Sequence, residues 1–265
     1  MMPLDLSIVV VNHNHGPLAE SCFESLCALP DRVRFEMILI DNACTDGAAR
    51  RIANRFPEVR IHRNARPRGF AANANTGMRA LGCGRYLLLL NPDVVCIPGM
   101  LHQLVLFMDT HPDAGIAAPR LFNPDGSPQP NCRHFPTPGT LAMRVLRLNA
   151  SPLVRRYLMS DRPHVAASEA DWVTGAVLMA RRAAVERVGL LDERYFLYWE
   201  DMDWCYRMRH DGWKVYYVPE ARAVHALQRE GARRPFSRAG RQQLLGAMKF
   251  FHKFGWNAGA QKDAA

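Results

Sequence analysis

No CxxC or CxxH pair occurs among the seven cysteines at positions 22, 27, 44, 83, 96, 132 and 205, and their number is odd. A disulfide framework and a structural zinc site are therefore not expected; reduced thiols in a cytoplasmic compartment suit the spacing better. Long apolar runs are scarce near the N-terminus, where the longest unbroken one covers residues 8–11, and residues 1–6 carry no basic side chain. Neither a signal peptide nor a membrane span is expected there, which leaves a soluble or peripheral protein. The sequence also lacks GxGxxG after its first strand-like run, where Val11-Asn12-His13-Asn14-His15-Gly16 stands, and it has no GxxxxGK and no GxSxG. Ordinary nicotinamide binding, a P-loop and the common hydrolase nucleophile turn are thereby disfavoured. His13 and His15 are spaced like a ligand pair, but with no cysteine or acid beside them they read as turn residues.

What is present is ordinary globular material: 265 residues, 48% hydrophobic and 22% charged. That is enough chain to bury a core without staples, in one large domain or two small ones, and it excludes disorder, collagen and coiled coil. Lys and Arg number 34 against 25 Asp and Glu, a net charge of +9. Nine of the basic residues and only three acids lie in residues 220–265. Such a tail is either a solvated face or a contact with phosphate or an anionic membrane. A nucleic-acid partner is not expected, because few aromatics interleave with the basic residues and no RNA-binding signature is present.

The first 120 residues alternate strand and helix patterns. Residues 6–11 and 35–40 are apolar runs without polar alternation, as in strands buried on both faces, and 59–63 and 85–90 supply two more strands. Helices are expected over 18–29, from Gly47 through about Arg55, and over 69–81. Strands alternating with helices predict an α/β fold with a mostly parallel sheet, whose ligands bind beyond the carboxyl ends of the strands. That rule points to residues 12–14, 41–46 and 91–93. Prolines punctuate residues 123–170, so an irregular excursion is expected there, with one helix near 141–148. Regular structure resumes with a strand over 171–179 and a helix over 181–188. A further helix runs from Glu200 to Gly212, followed by a strand over 213–218 and an extended piece over 221–225.

Three groups of residues carry chemistry. Asn91-Pro92-Asp93 follows a buried strand, where a carboxylate can bind a divalent cation, though the tripeptide is equally good turn chemistry. Tyr198-Trp199-Glu200-Asp201-Met202-Asp203 sets three acids beside two aromatics. Acids in a first helical turn favour the helix dipole, and Asp203 with Arg207 is an i,i+4 ion pair. Crowded, desolvated carboxylates also suit a general base. The cluster alone does not choose between these roles. His225 closes the last extended piece, where a lone histidine is more often structural than a ligand.

Taken in order, several stretches resemble an inverting family-two glycosyltransferase of the GT-A fold, in its rhamnosyltransferase-like branch of bacterial surface polysaccharide synthesis. They are Ser7-Ile8-Val9-Val10-Val11-Asn12, Ile40-Asp41-Asn42-Ala43-Cys44-Thr45-Asp46-Gly47, Arg68-Gly69-Phe70-Ala71-Ala72-Asn73-Ala74-Asn75 and Tyr86-Leu87-Leu88-Leu89-Leu90-Asn91-Pro92-Asp93-Val94. Trp172-Val173-Thr174-Gly175-Ala176 and Leu191-Asp192-Glu193-Arg194-Tyr195-Phe196 follow, running into the acid cluster. The ordered set spans residues 7 to about 225.

The resemblance implies a GT-A domain over 1–225, with a donor nucleotide half (1–120) and an acceptor half (121–225), followed by a basic amphipathic extension (226–265). It implies donor contacts from Asn12, Asp41, Asn75, Asn91 and Asp93, and a metal, Mg²⁺ or Mn²⁺, on Asp93 and His225. Asn91 stands where the family's metal-binding acid pair has its first member, so the ion would be held largely by the donor pyrophosphate. Asp201 would be the base and Glu200 beside it would orient the acceptor, with Trp172, Gly175 and Trp199 on the acceptor side. The donor would be a dTDP-, UDP- or GDP-sugar, dTDP-L-rhamnose first, and the acceptor a saccharide or a lipid-linked one. A sugar nucleotidyltransferase would need a glycine-rich basic loop after the first strand, and a non-catalytic sugar-nucleotide scaffold would not need Asp201. In residues 241–254, apolar positions 244, 247, 248, 251 and 254 predict an amphipathic helix with Lys249 and Lys253 on another face. Packing on the domain, peripheral contact with the inner face of the cell membrane and a homodimer contact are all open to it.

Overall fold

The computed structural model describes residues 4–30, 32–160, 165–226 and 237–259. The sequence expectations for residues 227–236 and 260–265 of the extension, and for Pro163, lie outside them. In chain order the elements are β1 (Leu4–Asn12), α1 (Gly16–Cys27), β2 (Phe35–Asp41), α2 (Ala48–Arg55), β3 (Val59–Arg63), α3 (Phe70–Ala80) and β4 (Gly84–Leu90). Then come β5 (Val94–Cys96), α4 (Met100–Thr110), β6 (Ala114–Phe122), β7 (Pro128–Gln129), β8 (Cys132–Arg133), α5 (Pro138–Val145) and α6 (Pro152–Tyr157). The remainder are β9 (Ser168–Ala170), β10 (Trp172–Val173), β11 (Val177–Arg181), α7 (Arg182–Val188), α8 (Glu200–His210), β12 (Lys214–His225) and α9 (Arg238–Phe254).

The main sheet runs β3-β2-β1-β4-β11-β6-β12-β5, with β7 and β9 attached at β6 and β12. The first four strands are parallel, as the alternating pattern requires. β11 then inserts antiparallel between β4 and β6, so the sheet as a whole is mixed. Residue 120 falls within β6, and both halves of the chain share this one sheet.

Strand burial explains the lack of polar alternation. Ile8 and Val10 point into the layer made with α1, α2 and α4, while Val9 points into the layer holding α3, α7, α8 and α9. Both faces are covered, so both sets of side chains must be apolar. α3 lies close on β1 because residue 77 is glycine: a Cβ there would come 2.4 Å from Val9 Cγ1.

Three expectations change. Pro138 and Pro152, read as breakers, instead open α5 and α6 behind the caps Thr137 and Ser151. Proline suits the first helical turn, where its missing N–H costs nothing. The strand over 171–179 divides into β10, paired antiparallel with β8 in a separate two-stranded sheet, and β11. The pieces over 213–218 and 221–225 are one strand, β12, whose register shifts between Val218 and Arg222 around Pro219, a bulge that accommodates a residue without an N–H. β5, α4 and β6 fill a stretch to which the sequence pattern assigned no elements. None of the cysteines forms a disulfide. Among the described residues no helix is long and apolar enough to cross a membrane.

Candidate active site

The carboxyl ends of β1 and β2 lie side by side, with Asn12 opposite Asp41. Asp41 is buried; its Oδ1 accepts from the Cys44 backbone N–H at 2.8 Å and its Oδ2 faces Arg63 Nε at 3.3 Å. Asn12 is also buried, its Oδ1 accepting from His15 N at 3.1 Å and its side-chain amide reaching the Cys44 sulfur at 3.5 Å. Burial, reinforced by Asp41, pushes the Cys44 thiol up to about 12. It stays protonated and braces the loop rather than acting as a nucleophile. Asn75 is fully engaged elsewhere: its amide N donates to Leu191 O at 2.8 Å and to Glu193 Oε1 at 3.0 Å, and its Oδ1 accepts from Leu191 N at 3.1 Å. It clamps the segment that leads to α8.

Asp93 and His225, far apart in sequence, meet because β5 and β12 pair antiparallel with Val94 opposite His225. His225 Nε2 lies 3.2 Å from Asp93 Oδ1, while its Nδ1 lies 2.7 Å from Gln129 Oε1. Gln129 Nε2 donates to His225 O at 3.2 Å and to Asn123 Oδ1 at 2.8 Å, which turns its Oε1 toward the ring. The proton of the ring therefore belongs on Nδ1. Nε2, when bare, and the Asp93 carboxylate then present two electron pairs to the same point. That arrangement suits a divalent cation, with Gln129 as the outer partner that fixes the tautomer. Among the described residues no group of three or more His, Cys, Asp or Glu is gathered as a complete metal site. An ion here would need ligands from elsewhere. Asn91 directly follows β4, and its backbone N–H donates to Ala176 O at 2.9 Å.

The acid cluster forms the first turn of α8. Asp201 accepts from Gly175 N at 2.9 Å and from Met202 N at 2.8 Å. Burial raises its proton affinity, opposed by those two N–H groups and by Arg133. Glu200 is buried and, among the described residues, its Oε2 has no hydrogen-bond partner. Desolvation, with the Asp201 charge beside it, lifts the Glu200 carboxyl to about 8. Two N–H donors favour the charged form of Asp201, and Glu200 Oε2 has no donor among the described residues, so within the pair the negative charge belongs on Asp201 and the proton on Glu200. Arg133 sits between the rings of Trp172 and Tyr157, 5.0 and 5.9 Å from their centroids, and its buried Nε also lacks a partner among the described residues. Trp172 is buried beneath it, with Nε1 donating to His134 O at 2.9 Å.

Trp199, the residue before α8, is left-handed at φ 73°, as is Tyr198 at 69°. Such backbone is strained for large side chains and persists only under outside packing. α9 supplies it. Gly246 lies so close that a Cβ would come 2.4 Å from Trp199 Cδ1, Phe250 and Phe251 pack on the indole, and Gln243 Oε1 accepts from Trp199 Nε1 at 3.2 Å. The indole is thus largely covered rather than open for a sugar to stack on. Lys253 donates to Asp203 Oδ2 at 2.6 Å and to Asp192 Oδ2 at 2.8 Å, and Lys249 donates to Arg194 O. Arg194 and then Lys253 hold the Asp192 carboxyl well below the usual range. The helix packs on the domain through Ala247, Phe250, Phe251 and Phe254, while Leu244 and Met248, expected on its apolar face, point outward.

The sequence alone gave no indication of Gln129 or Arg133, and it placed Lys253 on a helix face without its partners Asp192 and Asp203: an isolated amide or arginine has no spacing signature, and each of the three acts only through tertiary contacts.

The raised Glu200 makes a stability prediction. From about pH 4.5 to about 8 the folded protein retains a proton that the unfolded chain releases, so stability should fall as pH rises through that window, by at most about 1.4 kcal/mol per unit. Glu200→Gln should flatten the decline. Thermal unfolding of both proteins between pH 5 and 8.5 checks this; equal slopes would show that Glu200 ionises normally.

Residues 7–170 match the family described as glycosyl transferase family 2. An N-acetylglucosaminyl-diphospho-decaprenol L-rhamnosyltransferase of Mycobacterium tuberculosis is 30% identical over 259 residues, covering 88% of this chain and 79% of that protein. Rhamnosyltransferase WbbL of Escherichia coli is 24% identical over 252 residues, 92% of this chain and 91% of its own. Among solved structures, GalNAc-T7 with UDP, GalNAc and Mn²⁺ superposes with a TM-score of 0.66 at 19% identity. That match takes in 86% of this chain but only 45% of the other. A mannosyltransferase of Pyrobaculum calidifontis with GDP-Man and Mn²⁺ gives 0.60 at 18% identity, over 100% of this chain and 68% of its own. At these identities the structures show likeness of fold alone.

Proposed function

We propose that this chain, which belongs to glycosyl transferase family 2, moves a sugar from a nucleotide donor to an acceptor hydroxyl with inversion at the anomeric carbon. The observation that carries the reading is the division of labour in the acid pair: a half-buried Asp201 carboxylate held by two backbone N–H groups, beside a buried Glu200 whose Oε2 has no partner among the described residues. Asp201 takes the proton from the acceptor hydroxyl, and the freed oxygen pair attacks the anomeric carbon. The bond to the diphosphate breaks, and the nucleoside diphosphate leaves with those electrons. Glu200 Oε2 is available to hold an acceptor hydroxyl, and Arg133 favours the charged form of Asp201.

On the donor side Asp41 and Asn12 take the nucleoside, with Asn91 near the diphosphate and Asn75 acting through the segment it clamps. Asp93 and His225 would hold Mg²⁺ or Mn²⁺, completed by donor phosphate oxygens, and such an ion supplies positive charge against the departing diphosphate. The Mn²⁺ present with both structural neighbours supports this choice. The rhamnosyltransferase names of the relatives support dTDP-L-rhamnose as donor and cell-surface polysaccharide synthesis as the setting. One relative is named for a diphospho-decaprenol acceptor, which supports a lipid-linked acceptor here. Nucleotide sugars of this kind fit a cytoplasmic enzyme.

The test is nucleoside diphosphate release from a panel of dTDP-, UDP- and GDP-sugars in Mg²⁺, Mn²⁺ or EDTA. Slow release from one donor, at least tenfold lower in EDTA and after Asp93→Ala, is the expected outcome, several kcal/mol of charge stabilisation being at stake. No release, together with no sugar-nucleotide binding by calorimetry, would replace the transferase reading with a scaffold.

A further inference from the structure

Between Asp125 and Asp161 the chain carries no acidic residue and five arginines, at 133, 144, 147, 155 and 156. Four of these fall in the α5–α6 hairpin, whose connecting segment is unusually apolar for a surface. Val145 is 82% exposed, Leu146 66%, Leu148 50% and Leu153 47%, whereas Val154 and Tyr157 of the same hairpin turn inward and are buried. Arg144, Arg147, Arg155 and Arg156 stand exposed among these side chains.

Much of the backbone of the segment is paired from within. Leu146 N donates to Ala142 O, Arg147 N to Arg144 O, Leu148 N to Met143 O and Ser151 N to Leu148 O, and the Ser151 hydroxyl accepts from Val154 N. A segment that enters a low-polarity interface must meet that condition, since no water is there to take up its N–H groups. At its base the hairpin joins the acceptor side of the site: Tyr157 O accepts from His134 N, and the Tyr157 ring lies against Arg133. α9 is a poorer candidate, because Lys249 and Lys253 are committed to Arg194, Asp192 and Asp203.

We propose that the α5–α6 hairpin docks on an anionic lipid surface, with Val145, Leu146, Leu148 and Leu153 entering the headgroup–acyl boundary and Arg147 and Arg155 meeting lipid phosphates. Apolar side chains framed by cations, without an acid to repel the surface, are complementary to such a membrane. The proposal concerns binding and does not rest on the transfer chemistry.

The test is flotation of the full chain with vesicles of phosphatidylcholine alone or in equal parts with phosphatidylglycerol. The parent should bind the anionic vesicles and bind neutral ones far more weakly. Leu146→Glu with Leu148→Glu should lower anionic binding at least about tenfold, and Arg147→Gln with Arg155→Gln about fivefold per arginine at low salt. Leu244→Glu with Met248→Glu on α9 should bind like the parent. All the substituted side chains are exposed, and unchanged melting temperatures would confirm folding. The proposal is overturned if the parent ignores anionic vesicles, if the hairpin variants bind like the parent, or if only the α9 variant loses binding. It is equally overturned if the hairpin variants convert a dimer to a monomer on gel filtration while vesicle binding stays intact.

Discussion

Asp201→Asn is expected to leave the protein folded and to cut sugar transfer by about 10²–10⁴-fold, the usual contribution of a positioned general base. Two physical changes combine. An amide cannot take up the proton of an attacking hydroxyl. It also offers one acceptor oxygen where the carboxylate has two, so either Gly175 N or Met202 N is left facing an NH₂ group. That mismatch costs on the order of 1 kcal/mol, offset in part because a half-buried charge is removed. Diphosphate release in single-turnover assays, read beside the melting temperature and donor binding, separates the effects. A folded, donor-binding Asp201→Asn with near-parent turnover would remove Asp201 from the role of base.

Asp203→Ala is expected to be the most destabilising change at the site, by about 3–5 kcal/mol, or roughly 10 °C in melting temperature. Asp203 is fully buried and accepts from Arg207 Nε at 2.7 Å, Lys253 Nζ at 2.6 Å and Tyr195 OH at 3.3 Å. Its removal leaves Arg207 without its carboxylate and Lys253 with Asp192 alone, each cation being less than a quarter exposed. The damage should reach activity as well, because Lys253 fixes α9 over Trp199, and Trp199 sets the left-handed entrance to Glu200 and Asp201. Lys253→Met, which keeps the aliphatic stem and leaves Arg207 on Asp203, should cost less than half as much. Denaturant unfolding of the two variants measures the difference. An equal, small loss in both would mean that α9 is held by its phenylalanines alone.

The elements that the sequence disclosed share a physical cause: their side chains answer to nearby chain. The central residues of β1, β2 and β4, at 8–11, 37–40 and 86–90, are apolar because the strands are covered on both faces there, and Asp41 and Asp93 are placed by the ends of those strands. The i,i+4 pair of Asp203 and Arg207 forms as its spacing requires. Where the sequence misled, a distant partner had changed the meaning of a local feature. Pro138 and Pro152 break a chain when read alone but start helices behind Thr137 and Ser151. Apolar spacing in α9 fixed that a helix forms, yet Trp199, Tyr206 and Phe135 selected Phe250 as the centre of its contact and left Leu244 and Met248 outside.

Composition and periodicity by themselves determined an α/β chain with its acids beyond buried strands, and the order of motifs determined its family resemblance. Only the tertiary structure decided what each acid is for. It joined Asp93 to His225 through the β5–β12 pair and aimed the ring with Gln129. It gave Asp201 two N–H donors while leaving Glu200 Oε2 without one among the described residues, and it paired Lys253 of α9 with Asp192 and Asp203. Proton affinity, tautomer and charge pairing depend on desolvation and on contacts between residues tens to more than a hundred positions apart. Strand and helix periodicity depends only on neighbours a few residues away, and that difference in range is why one was legible in the sequence and the other was not.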